Sequence, residues 1–421
     1  METISPRLRF KSFNDNWSTP KIAELVSHGI LDKPMDGNHG EIHPKSSDYV
    51  ESGIPFIMAN NVIDGEIDFI RSSKITKEQA GGLRKGFSYS GDVLLTHKGT
   101  VGNTAIVPDG VPDYIMLTPQ VTYYRVLDCK KLHNKYLRYC FESPNFKKAL
   151  NIAASSGTRP YVGITEQAQI KIQITDINEQ QKIADFLSSV DNKINLLKEK
   201  HALLTQYKKG VMQKLFKQEI RFKGGYSNAF PDWQETSFDK VFERVTRKNK
   251  EDNQNVLTIS AQRGLINQEK YFNKSVSAKN VTGYCLLEKG EFAYNKSYSK
   301  GYPMGAIKRL NNYDKGVVST LYICFKTHGE QYDEFWEQYF EAGNLNREIN
   351  KIAQEGARNH GLLNVSVTEF FQDIKVQMPS KKEQEKIAEF LGALDEKINA
   401  VNEQVKLTET FKKGLLQQMF V

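Results

Sequence analysis

Two glycine-rich stretches, Gly99-Thr100-Val101-Gly102 and Gly301-Tyr302-Pro303-Met304-Gly305, are where this backbone could wrap a phosphate. Neither carries the GxxxxGK[ST] pattern of a nucleotide-cradling loop, so both read as turns. The chain has no Asn-Pro-Pro-aromatic run to hold a flipped base for amino methylation, no HExxH and no GxSxG. Its eight histidines (His28, His39, His43, His97, His133, His201, His328 and His360) are scattered. His39 and His43 stand four apart, but Gly37, Gly40 and Pro44 make that segment a loop, not a metal-holding helix. Catalysis by this chain alone is not expected, nor is a bound metal.

The 421 residues allow two or three domains, each able to bury a core of its own. With 58 Lys plus Arg against 50 Asp plus Glu, the formal charge is +8, a lean toward polyanions. The apolar stretches, such as 317–325, are too short to cross a bilayer. The amino terminus lacks the basic-then-apolar layout of a secretory signal, and the four cysteines show no CxxC spacing. A soluble, reduced, cytoplasmic protein is expected.

The informative feature is a repeat. Residues 179–216 and 383–420 align at a constant offset of 204 with 18 of 38 positions identical, which two unrelated segments would not show. Both copies open on a capping signal, Asp176 with Glu179 and Ser380 with Glu383, in which the carboxylate can reach back to the cap. Ile183, Leu187, Val190, Ile194, Leu197, His201, Leu204, Val211 and Leu215 follow alternating steps of four and three apart from one missed position. So do Ile387, Leu391, Leu394, Ile398, Val401, Val405, Leu415 and Met419, giving a heptad seam in each. Lys208 and Lys412 sit on the seam ahead of Gly210 and Gly414, where the packing is expected to loosen and the glycines to permit a kink or close approach. Phe186 and Phe390 flank the seam, and Phe216 and Phe420 end it in apolar clusters. Each helix alone would expose its stripe, so the two are expected to pack on each other.

The segments before the helices are less alike, yet their landmarks recur in order. Arg9-Phe10-Lys11 then Trp17 is echoed by Arg221-Phe222-Lys223 then Trp233, and Gly91-Asp92-Val93-Leu94 by Gly290-Glu291-Phe292-Ala293. Gly157-Thr158-Arg159 is echoed by Gly356-Ala357-Arg358. Short β-leaning runs (54–58, 92–96, 121–126, 321–325) alternate with helical stretches (134–151, 333–352). The fold class is α+β, with two mixed α/β domains joined by two long antiparallel coiled-coil helices in a pseudo-two-fold arrangement. The end of the second helix then returns near the amino terminus. Since a DNA duplex also has local two-fold symmetry, such a chain could place one domain on each of two half-sites.

The helices EQQKIADFL…YKKGVMQKLF and EQEKIAEFL…FKKGLLQQMF, with GIPFI (53–57), GDVLLTHKGTVG (91–102) and EFAYNKSYSKGYPMGAI (291–307), resemble the specificity subunit of type I restriction-modification systems. The resemblance covers nearly the whole chain and implies target recognition domains at 1–177 and 218–380, with conserved helices at 178–217 and 381–421. It further implies a non-catalytic subunit whose two domains each read half of a split sequence in double-stranded DNA, the helices setting the spacer. Two copies of a modification subunit would dock on the helices and methylate adenine N6 with S-adenosylmethionine. ATP and Mg²⁺ belong to a further restriction and translocase subunit; this chain binds none of these cofactors and no membrane. The rival readings are a coiled-coil adaptor that binds only proteins, and a self-sufficient methyltransferase or nuclease with unrecognised motifs.

Base edges are read by side-chain donors and acceptors, while phosphate contacts fix orientation. In the first domain the candidates are His97, Lys98, Thr100 and Asn103, with Thr158, Arg159 and Tyr161; Thr100 and Asn103 could instead close a turn. In the second they are Asn295, Lys296, Ser297, Tyr298, Ser299, Lys300 and Tyr302, with Arg358 and Asn359. Asn60 and Asn61 are weaker candidates. The helix-pair and subunit interface is expected at Ile183, Phe186, Leu187, Val190, Ile194, Leu197 and Phe216, and at Ile387, Phe390, Leu391, Leu394, Ile398, Val401 and Phe420. Trp17 and Trp233 are expected to be equivalent core residues.

Overall fold

The computed structural model describes residues 5–111, 113–154, 160–224, 228–260, 263–272, 280–353 and 363–420. It divides into two compact units, Met1–Lys198 with Glu403–Val421, and Glu199–Asn402. The long helices are Ile177–Phe216 and Lys381–Met419. The division falls inside both, so each unit holds one domain and a stretch of each helix.

In unit 1 a four-stranded antiparallel sheet runs in the order Met35–Asp36, Val121–Tyr124, Val93–Lys98, Thr100–Ile106. Val93 through His97 are all buried, so this strand is covered on both faces and its apolar run is nearly continuous. It turns at Gly99, whose φ of +81° suits glycine, directly into the next strand. A second sheet orders Ser73–Ile75, Ile54–Ile57, Ile115–Leu117 and Phe87–Ser88, with Ile54–Ile57 parallel to Ile115–Leu117. The helical stretch expected over 134–151 is two helices, Asn134–Glu142 and Pro144–Ala154. Ser143, held extended by the proline after it, breaks them.

Unit 2 repeats the main sheet in the same order: Phe242–Arg244, Ile323–Thr327, Phe292–Asn295, Ala306–Arg309. The third strand and the fourth are separated here by residues 296–305 instead of a single glycine. Leu321 is an exposed turn residue, so the strand expected from 321 begins at Ile323. The following helical stretch is also split, into Asp333–Glu341 and Asn346–Ile352, with Gly343 at φ +76° between them. Phe242, Phe292, Phe325 and Phe340 pack edge-on and stacked in the core beneath.

Within each unit the long helices pair antiparallel. In unit 1 Ile183, Leu187, Val190 and Ile194 share a core with Leu415, Leu416, Met419 and Phe420. In unit 2 Met212 and Leu215 share one with Ile387, Ala388, Leu391 and Leu394. Val401 is buried, while Leu197 and Ile398 are half-buried. Phe186 meets Phe10 edge-on at 5.9 Å, and Phe390 meets Phe222 at 5.6 Å. Phe420 and Phe216 each lie 6.4 Å from Trp17 and Trp233 respectively, both with interplanar angles of 74°. The amide of Leu8 donates to the Gln418 carbonyl at 2.9 Å, so the second helix ends beside the start of the chain.

Two local expectations are corrected. The seam does not loosen at its lysines: Lys208 donates to Asp395 at 2.6 Å and Lys412 to Asp191 at 2.7 Å, so each ammonium is neutralised by the other helix. The glycines mark no close approach within the chain, since a Cβ at Gly210 or Gly414 would meet nothing within 4 Å, and both helices run on through them.

Candidate nucleic-acid interface

Each domain is fastened to its helix by the same device. Glu179, fully buried, accepts two hydrogen bonds from the Arg9 guanidinium, both 2.7 Å, and one from Trp17 Nε1 at 3.2 Å. Glu383, also fully buried, accepts from Arg221 at 3.0 and 2.9 Å and from Trp233 Nε1 at 3.1 Å. These are the glutamates expected to complete capping boxes. Asp176 does cap, accepting from the Asn178 amide at 2.8 Å, but Glu179 is spent on arginine and tryptophan. Such bidentate, charge-assisted pairs fix orientation as well as adding energy. Trp17 and Trp233 are buried core residues at equivalent places.

In unit 1 the candidate residues gather at the tip of the hairpin 93–106, but not all of them face outward. His97 is corrected to an interior residue: its ring is wholly buried, and Nδ1 lies 2.9 Å from the Val162 carbonyl, which can only accept. Burial holds its pKa below the ordinary histidine value, outweighing that hydrogen bond and Asp36, so the ring is a neutral brace. Asn103 is structural too, its Nδ2 donating to the Val62 carbonyl at 2.8 Å. Asn61 is buried and accepts from the Met58 amide at 3.0 Å. Lys98, Thr100 and Tyr161 remain exposed together, the Lys98 ammonium 6.0 Å from the Tyr161 ring centroid. Strand 93–98 also bridges to Tyr161, with the Gly99 amide donating to Pro160 at 3.2 Å. Thr158 and Arg159 lie outside the described residues.

A concavity of about 400 Å³ beside Lys98 is lined by His39, His43, Tyr49 and Gln120. The loop reading of the two histidines holds: His39 Nε2 meets Asp36 at 2.8 Å, and His43 Nδ1 meets the Asn38 carbonyl at 3.1 Å. Their place beside the hairpin was not visible in sequence, because it depends on the pairing of Met35 with Tyr123 across the sheet. Among the described residues no three His, Cys, Asp or Glu side chains converge as metal ligands.

In unit 2 the run 295–302 spans the last residue of strand Phe292–Asn295 and most of the loop, 296–305, that leads to its paired strand. Asn295 Oδ1 accepts from the Ser297 amide at 3.1 Å, and Ser299 and Tyr302 close a turn around Gly301 at φ +88°. Tyr298 is 66% exposed and Lys300 is exposed, whereas Lys296, Ser297 and Ser299 are half-buried. The Lys296 backbone is anchored, its carbonyl accepting from Leu363 at 3.0 Å. Tyr302 is turned inward: its hydroxyl donates to Glu341 and accepts from Lys308 at 3.1 Å. Burial and Glu341 both raise its pKa, keeping it protonated. Arg358 and Asn359 lie outside the described residues.

Apart from the half-buried Leu197 and Ile398, the expected helix interface residues are buried or packed inside the chain, yet each helix keeps a second apolar face. Leu203 and Tyr207 are 57% and 54% exposed. Their counterparts 204 residues on, Leu407 and Phe411, are 68% and 54% exposed. Gly210 and Gly414 lie on the same faces by helical spacing.

Residues 29–206 match the family model described as Type I restriction modification DNA specificity domain. The chain is 23% identical over 395 residues to the putative type I restriction enzyme MjaX specificity subunit of Methanocaldococcus jannaschii, covering 86% of this chain and 85% of that one. It is 25% identical over 216 residues to the MjaVIII specificity subunit of the same organism; that match takes in 50% of this chain and 47%, about half, of the relative. The fold is similar to the S subunit of a type I restriction-modification system from M. genitalium, at TM-score 0.58 and 15% identity over 99% of both chains. It is also similar to a chain from a structure of type I restriction-modification complex assembly and conformational transition, at TM-score 0.51 and 13% identity over 95% of this chain and 96% of that one. The duplicated α+β fold is thus shared with a solved S subunit. Residues 29–206 match a type I restriction modification DNA specificity domain, and over most of its length the chain is similar to specificity subunits of type I restriction-modification systems.

Among the described residues no helix is long and apolar enough to cross a membrane.

Proposed function

We propose that this chain gives a type I restriction-modification enzyme its DNA sequence specificity, each unit reading one half of a bipartite, asymmetric site in double-stranded DNA. The helix pair fixes the spacer between the halves and seats two modification subunits. Those subunits carry S-adenosylmethionine and methylate adenine N6, while ATP and Mg²⁺ act on a restriction and translocase subunit. The specificity subunit has no catalytic role and binds none of these cofactors, and it works in the cytoplasm.

One observation carries the reading. The same strand order and the same Arg-Glu-Trp fastening occur in both units, while the exposed loops they hold, around Lys98 and Tyr161 and around Tyr298 and Lys300, differ completely. A common frame presenting two unrelated polar loops suits a protein that reads two different half-sites. Base-resolution mapping of N6-methyladenine in the host, with and without this gene, tests it. Methylation at one split, asymmetric motif should vanish on deletion. An unchanged map, together with a purified complex that fails to bind duplex, supports the protein-only adaptor. A purified chain that labels DNA from S-adenosylmethionine alone supports the self-sufficient enzyme.

A further inference from the structure

The helices Asn134–Glu142 and Asp333–Glu341 occupy equivalent places after the main sheet, and each ends on a glutamate. The two glutamates are used in opposite ways.

Glu142, almost wholly buried, accepts from Lys412 on the second long helix at 2.7 Å and from Arg138 at 2.7 Å. Arg138 also reaches Asp191 on the first long helix at 3.0 Å, and Lys412 reaches the other oxygen of Asp191 at 2.7 Å. Tyr139 adds a donated hydrogen bond to Asp191 at 2.8 Å. Two cations and two carboxylates therefore close a ring that belongs at once to the domain and to both helices. A closed ring loses less on burial than a single pair, because every charge keeps two partners. The ring also reaches the hairpin: Thr104, on the strand that returns from the exposed tip, donates its hydroxyl to Glu142 at 3.0 Å. From Lys98 to the helix pair there is thus a short, fully bonded path.

Unit 2 keeps only the fragment that the repeat supplies. Lys208 bonds both oxygens of Asp395 at 2.6 and 2.7 Å, and the domain contributes a neutral amide, Gln338 Nε2, at 2.8 Å. The other amide atom, Gln338 Oε1, is buried without a hydrogen-bond partner. The position equivalent to Arg138 is Glu337, which bonds Asn311 within its own domain at 2.8 Å. Glu341 turns toward its own domain as well, holding Lys308 and Tyr302 of the loop region. Among the described residues, no charged side chain of this domain meets Lys208 or Asp395.

We infer that Thr104, Glu142, Arg138, Asp191 and Lys412 form a positioning device that holds the exposed hairpin of unit 1 on the helix pair, that the described residues of unit 2 form no such device, and that the two half-sites are therefore read with unequal stringency. Resting on the proposed reading of DNA, the inference names which half is strict. The hairpin of unit 1 cannot shift without breaking the charge-assisted bond from Thr104 to a carboxylate held in the buried ring, so a wrong base there meets a fixed surface. The loop of unit 2 is braced within its domain only, and, apart from the Glu383 fastening and the packed core, the domain meets the Lys208–Asp395 pair through one neutral contact.

The test uses the chain in complex with its modification subunits and reads methylation of a duplex library carrying every single-base change in both half-sites. Three variants are compared with wild type: Thr104→Val, which removes only the hydroxyl link; Lys412→Met, which opens the ring; and Lys208→Met, which breaks the equivalent inter-helix pair in unit 2. Partial loss of a base contact appears as a relaxation of about tenfold. Wild type should discriminate more sharply in one half-site. Thr104→Val and Lys412→Met should relax that half alone, and Lys208→Met should relax neither while lowering the melting temperature. Relaxation of both halves alike, or of neither in a folded, active Thr104→Val complex, overturns the inference and leaves the DNA-reading function standing. If Lys412→Met does not fold, Thr104→Val decides the matter alone. A wild-type complex that methylates no split motif overturns the functional reading and this inference with it.

Discussion

Lys412 bonds Asp191 at 2.7 Å, and subtracting 204 from one residue number while adding it to the other gives Lys208 and Asp395, which bond at 2.6 Å in the other unit. The duplication has thus kept a contact and not merely a motif. Each copy of the helix supplies a lysine late and an aspartate early, and antiparallel pairing brings the lysine of one copy to the aspartate of the other. Such a pair is satisfied only when the two copies meet in one register, which is the role best attested for charges in helix seams.

The ring around Lys412 should make unit 1 acid-sensitive. Burial pushes the Glu142 carboxyl up, but Arg138 and Lys412 outweigh it and hold the pKa at about 2, below the ordinary glutamate range. A depressed folded-state pKa contributes stability that is full above the unfolded value near 4.3 and is lost as pH falls toward 2. The contribution is on the order of 3 kcal/mol. Thermal melts between pH 5 and pH 2 should therefore fall more steeply for wild type than for Glu142→Gln. Parallel curves would mean that the ring is not ionised as described.

The two fastening glutamates should behave as equivalents. Glu179→Ala or Glu383→Ala leaves an arginine and a tryptophan N–H without their acceptor, at a cost of about 3 kcal/mol in the unit concerned. Native-state hydrogen exchange should show the loss in the domain strands of unit 1 for the first variant and of unit 2 for the second. A loss spread evenly over both units in either variant would contradict local fastening.

These contrasts show what a linear sequence carries. The seam was legible because heptad spacing is local, and the duplication was legible because it repeats. The four runs read as strands, 54–58, 92–96, 121–126 and 321–325, lie within about two residues of observed strands, since β-branched and aromatic runs are local signals. The fate of Glu179 was not legible: its local context, three residues after Asp176, is that of a capping box, and its actual partner Arg9 is 170 positions away. His97 was misplaced for a related reason. Its strand is buried on both faces, so the usual alternation of inward and outward residues does not apply, and a polar residue near a loop looked exposed. Asn103, too, stands four residues from Gly99 at the hairpin tip but is committed to Val62, a partner that only the fold supplies.

The duplicated apolar faces yield a stoichiometry. If Leu203 and Tyr207 seat one modification subunit and Leu407 and Phe411 another, Tyr207→Glu or Phe411→Glu alone should leave complexes with one modification subunit, and the double variant none, by native mass spectrometry. Retention of two subunits in the double variant would place docking elsewhere.

The glycines on those faces separate internal from external packing. Since a Cβ at Gly210 or Gly414 meets nothing in the chain, replacing both with alanine should raise the stability of the isolated chain by about 1 kcal/mol each. If a modification subunit approaches closely there, the same change should weaken assembly. Higher stability with unchanged assembly would make the glycines incidental.

Among the described residues Lys98 and Lys300 are the exposed cations of the two candidate reading loops, and His97 is the buried residue beside the first. If each lysine neutralises a phosphate, its replacement by alanine should weaken binding of the complex to its duplex and reduce the dependence of log K on log salt by about 1. His97→Asn should lower stability through the lost brace to Val162 and leave that slope unchanged. Measured as duplex affinity across a salt series, a slope unaltered by either lysine would remove both loops from the phosphate backbone. A slope altered by His97→Asn would mean that the hairpin itself rearranges on binding.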